Sequence, residues 1–240
     1  MKNAQATAPR VPGRRLWRLA LGELGFAARY GIIPLYGLLT VVYLLMLSVT
    51  PPQSRGTAGG VIILTDPAAM GLFFMGAMVL LEKSQQVHCA LAASPVRPWE
   101  YAVGKAVPLT AVGLCVALPL AAFAQMPLWG VALATVLGSF LFSMLGILVA
   151  TNSDSLNRFL IYSIPVEIVA FVPAMFYWFG SSRSPLWLLH PCAAALALMT
   201  RDTGLWLWAT LSLLVWNIAV FPLCRRAVER YFIRLGGVRL

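Results

Sequence analysis

Long apolar runs broken by short polar stretches fill the chain from residue 31 onward. Six are long enough to cross a bilayer, for which about 20 apolar residues suffice. They cover about 31–49, 61–81, 106–124, 128–150, 159–179 and 205–224. A lipid-exposed backbone has to satisfy its own hydrogen bonds, so each run predicts a helix. Thr50-Pro51-Pro52 stops the first, and TNSDSLNR parts the fourth from the fifth. The second has an ambiguous start. Asp66-Pro67 is a helix-start signal, an acceptor followed by proline. Starting there leaves roughly 22 Å of helix to Leu81, short for a bilayer. Either the helix continues past Glu82, or Val61 to Leu64 supplies its outer part before a break at Pro67.

Three other segments have helical patterning. In 13–30, Trp17, Leu21, Leu24 and Ala28 recur at helical spacing with Arg15 and Arg18 off that face. This predicts an amphipathic helix in the membrane interface. In 82–95 there is no Gly or Pro before Pro95, and Val87, Ala90, Leu91 and Ser94 fall at i, i+3, i+4, i+7. The helix predicted there stops at Ser94-Pro95, because proline disfavours helix at the residue before it. Arg97-Pro98 continues extended, and Trp99-Glu100-Tyr101 restarts a helix that enters the apolar run after Lys105. HPCAAALALM (190–199) is too short to span and predicts a re-entrant or surface helix packed on protein.

Composition makes the bilayer the solvent. The chain is 60% hydrophobic and 11% charged, against about 25% charged in soluble domains. The fold class is therefore all-α integral membrane. A net charge of +10 on a soluble protein would suggest nucleic acid, but here the basic residues flank the spans. If six spans are crossed, 15 of the 18 Lys and Arg fall on the side of the two termini and three (Arg55, Arg183, Arg201) on the other. That bias places both termini in the cytoplasm. The N-terminal stretch lacks the apolar core of a cleavable signal.

The usual catalytic constellations are absent. There is no G-x-x-x-x-G-K-[ST], G-x-S-x-G or H-E-x-x-H pattern. The four cysteines are too far apart to form a metal knuckle or redox pair, and the topology puts His88 and His190 on opposite sides. Glu167 sits within the fifth run, where a carboxylate normally faces protein or a water cavity. It could meet a cationic substrate on a transport path, or be protonated and bonded between helices. Asn217 in the sixth run is a second path candidate or interhelical glue. Arg14, Arg15, Trp17 and Arg18 would hold the interfacial helix on anionic lipid.

The segment LLEKSQQVHCALAASPVRPWEYAVGK (80–105) resembles the one after the second span in membrane subunits of ABC-2 type exporters. Glu82-Lys83, Ser94-Pro95, Glu100-Tyr101 and Lys105 carry the likeness, and TDPAAMGLFFMGAMVLL before it is similar to the form in fluoroquinolone-export permeases. Many members have Gly-Thr or an acid where this chain has Val87-His88-Cys89. The resemblance implies one ABC-2 transmembrane domain over 1–240, with 82–95 as a cytoplasmic coupling helix. It implies pairing with a second permease copy, identical or paralogous, and with a separate ATPase that holds ATP and Mg. Glu82, Lys83, Val87, His88, Leu91, Ser94, Pro95, Glu100 and Lys105 would couple the two, with no catalytic residue, metal or cofactor on this chain. The cargo would be an amphipathic drug or lipid-like molecule. A secondary transporter would need coupling acids in the spans, for which only Glu167 qualifies, and a membrane-integral enzyme would need a catalytic constellation.

Overall fold

The computed structural model describes residues 12–68, 70–86, 96–180 and 184–234, and every regular element among them is helical. Six helical stretches are long and apolar enough to cross a membrane. Helix α1 (Pro12–Arg29) leads through Gly31, at φ 78°, into α2 (Ile32–Val49), the first candidate span. That left-handed backbone is one that glycine adopts without a Cβ penalty. Helices α3 (Arg55–Ile63) and α4 (Met70–Ser84) belong to the second. The third to fifth are α5 (Pro98–Phe123), α6 (Leu128–Thr151) and α7 (Leu156–Phe179). Short α8 (Pro191–Leu198) precedes α9 (Trp206–Arg234), the sixth.

The second span takes one of the two forms the sequence leaves open, with its outer part before Pro67, but it begins earlier than Val61. Helix is already running at Arg55, and Leu64–Ala68 forms a wide π turn that carries Asp66 and Pro67. Proline lacks an N–H and crowds the preceding turn, and a π turn is a common way to accommodate such a defect. Asp66 therefore lies inside the candidate span, where Tyr43 of α2 hydrogen-bonds to it. Helix α9 also overruns its expected end, continuing ten residues past Cys224 to Arg234.

Helix α6 is the axis of the bundle, with α4, α5, α8 and α9 all packed on it. Close backbone approach at α4 depends on glycine. A Cβ on Gly146 would stand 2.5 Å from the carbonyl oxygen of Leu72, and one on Gly71 would collide with the backbone at Ser143. Small residues at such contacts are what lets helices associate in lipid, where dispersion replaces the hydrophobic effect. Every residue of α8 is buried, so the 190–199 segment is packed within protein. Helices α2 and α7 are the opposite case. Only 17% and 22% of their most apolar windows are buried, and Leu38, Leu45, Ile168 and Val169 stand exposed.

Candidate coupling site at the basic end

The start of α5 organises the end of the bundle that carries most of the Lys and Arg. Arg97 is extended, Pro98 opens the helix, and the Glu100 carboxylate accepts the Arg97 N–H at 2.9 Å. This cap fixes the helix register and sets Tyr101 and Lys105, four residues apart, on one buried face.

Two acids from other helices meet that face. Glu82 comes from the last turn of α4 and Glu23 from α1. The Lys105 ammonium pairs directly with Glu82 Oε1 and lies 2.7 Å from Glu23 Oε1. The Tyr101 hydroxyl donates to Glu82 Oε2 at 3.0 Å, and its ring packs edge-on to Phe232 of α9. Two carboxylates thus share one ammonium, with side chains only 1% (Lys105), 6% (Glu82) and 11% (Glu23) exposed. Burial pushes the Glu23 carboxyl above the usual range; Lys105 opposes that and the Glu82 charge adds to it. Around this cluster four helices are joined by charge and ring contacts.

A second set of bonds flanks the first. Lys83 donates to the Ser153 carbonyl at 2.9 Å, lies 3.6 Å from the Asp154 carboxylate and sits over the Tyr231 ring. This ties α4 to the α6–α7 turn. The Gln85 amide donates to the Tyr30 hydroxyl at 2.6 Å. Gln86 then takes φ 58° and ends the helix run at that point. The sequence pattern had the helix continuing through 82–95; α4 stops at Ser84 because a left-handed residue cannot extend a right-handed helix. Val87, His88, Leu91, Ser94 and Pro95 lie outside the described residues.

Helix α1 presents two faces. Ala20, Ala27 and Glu23 turn toward the bundle, and Leu19 meets α5 at Gly104. Trp17, Leu21 and Leu24 are exposed beside Arg18, and Arg14 and Arg15 fall in the first turn. Of the path candidates, Asn217 donates to Leu213 O within α9 and to Leu137 O of α6, at 2.8 and 3.1 Å, and so bonds one helix to the other. Glu167 is half-buried on α7 and makes no hydrogen bond or ion pair with a described residue.

Two acids were missed from sequence. Glu23 is the only acid before Asp66, a signal of a specific partner that spacing alone cannot supply. Asp66-Pro67 reads as a helix start or as a break inside 61–81, and neither reading points to the Tyr43 bond. No His, Cys, Asp and Glu grouping fit to hold a metal occurs among the described residues.

The chain aligns over 213 residues, 82% of its length and 88% of theirs, at 25% identity with fluoroquinolones export permease proteins of two Mycobacterium tuberculosis strains, CDC 1551 / Oshkosh and ATCC 25618 / H37Rv. This chain resembles an export permease. No protein-family model matches it. The similarity to such permeases covers most of the bundle, not the 80–105 segment alone.

Proposed function

We propose that this chain is the membrane-spanning permease subunit of an ATP-driven ABC-2 type exporter. The observation that supports it most is the alignment across 82% of the chain with export permeases, on a bundle of six candidate spans. In this reading the basic end faces the bacterial cytoplasm, with both termini there, and α1 lies in the inner interface with Trp17, Leu21 and Leu24 in lipid. A separate ATPase binds ATP and Mg and docks on segment 87–95. A second permease copy completes the substrate path for an amphipathic drug or lipid-like cargo.

The buried cluster gives this reading a transmission element. In the chain, segment 87–95 lies between α4 and α5, and Glu82–Lys105 bonds those two helices directly. Closure of the ATPase dimer would therefore move α4 and α5 together, with α1 carried along through Glu23. Coupling of this kind needs a rigid element whose equilibrium the motor biases. Glu82, Glu100, Lys105 and Lys83 act here by position, since their polar groups are engaged inside the chain. Co-reconstitution with an ABC ATPase that co-purifies with the chain tests this. Glu82→Ala is expected to leave insertion and assembly intact and to lower cargo-stimulated ATP hydrolysis. Unchanged stimulation would remove the coupling role.

A further inference from the structure

Helices α7 and α9 both lean on α6 and α8 but make almost no contact with each other. The gap between them is a crevice of about 400 Å³, within the range of small-molecule sites. Phe142 of α6 forms its back, Val166 and Val169 of α7 one wall, Trp216 and Val220 of α9 the other, and His190 lines it at the start of α8. The Phe142 ring, stacked on Phe171 at 5.7 Å, is almost fully buried and fixes the back of the site, while the Trp216 ring on the α9 wall is the exposed flat surface.

One polar atom in this apolar setting lacks a mate. His190 Nε2 lies 2.9 Å from the Val169 carbonyl oxygen. A carbonyl only accepts, so Nε2 carries the hydrogen. Burial lowers the imidazole's proton affinity against the opposing pull of the Val169 carbonyl, which favours the neutral ring. Nδ1 is then a bare acceptor, buried, with no hydrogen-bonding partner among the described residues. An acyl chain would fill the crevice and leave that acceptor unsatisfied, which is costly in an apolar surrounding. A flat molecule with one N–H or O–H would fill both needs.

We infer that the α7–α9 crevice is a binding site for a small aromatic molecule carrying one hydrogen-bond donor, received by His190 Nδ1. That it serves as a cargo site rests on the exporter reading. The binding does not, and the test uses neither ATP nor a partner, so each can fail separately.

The test is equilibrium dialysis of the full chain in lipid nanodiscs, with empty nanodiscs to subtract partitioning. The probes are 2-naphthol, which has the donor, and 2-methoxynaphthalene, which has the same ring system without it. The wild type should hold 2-naphthol about tenfold more tightly, the scale of one hydrogen bond. His190→Phe should bring the two probes level, and Ala170→Trp, which fills the crevice, should abolish specific binding of both. Should either variant fail to fold, ¹⁵N-histidine spectra of the wild type decide: the Nδ1 resonance of His190 should move with 2-naphthol and stay put with its ether. Equal binding of both probes to wild type, or an unmoved Nδ1 resonance, overturns the proposal. Equal binding that Ala170→Trp removes would mark an acyl-chain crevice instead.

Discussion

At the scale of single residues, the arithmetic of the basic-end cluster makes unequal predictions for its members. With two carboxylates on one ammonium, removing either acid leaves a matched pair. Removing Lys105 leaves two buried acids facing each other. Lys105→Met should therefore cost about 3–5 kcal/mol, the scale for stranding buried charge. Glu82→Gln and Glu23→Gln should cost much less, and thermal unfolding in nanodiscs would rank the three. The same cluster predicts a pH dependence. Glu23 is raised above its ordinary 4.5 by burial, so the folded state holds its proton more tightly than the unfolded state does. Its contribution is fully present below pH 4.5 and is lost as pH rises through the raised value. Subtracting the Glu23→Gln stability curve from the wild-type curve should leave a difference that declines over that window and flattens above it.

At the scale of elements, the α4–α6 contact is the most extensive joint and depends on having no side chain at Gly71 and Gly146. Gly146→Val should lose about 1–3 kcal/mol through overpacking, visible as a lower melting temperature; an unchanged melting temperature would mean α4 can slide. Such joints explain what was legible in the sequence. Apolar run length located α6 almost to the residue, predicted at 128–150 and found at Leu128–Thr151, because Pro127 and Asn152 bound it. Hydropathy reads lipid, however, and not helix. It ended the last span near Cys224, while RRAVERYFIR contains good helix formers and carries α9 to Arg234. For the same reason Asp66-Pro67 looked like a start although the helix passes through it as a π turn. The candidate coupling charges were visible as Glu82 and Lys105 on either side of a loop. Their bond was not, because it depends on α4 and α5 lying side by side with α1 across them. Glu23 could be singled out only as a solitary acid.

At the scale of the whole molecule, the bundle is lopsided. Helix α6 is wrapped on most sides, while α2 offers Leu38 and Leu45 outward and α7 offers Ile164 and Ile168. Next to Ile168 on α7 stands Glu167, with no described partner. A carboxylate facing only hydrocarbon is costly, and in the two-copy reading proposed above this side of α7 is where the second copy would pack. A single cysteine at Ile168 should cross-link between copies in native membranes, and one at Trp17 should not. The reverse pattern would place the interface elsewhere.

The shared ammonium also has a consequence in time. Glu23 leaves the ribosome first, Glu82 next, and Lys105 twenty-three residues after Glu82. Until α5 is made, neither acid has its cation, and α1 has no Gly104 surface to settle on. The first helix made therefore has no complete docking surface until the third span follows, and its docking marks the moment that half of the bundle has been assembled.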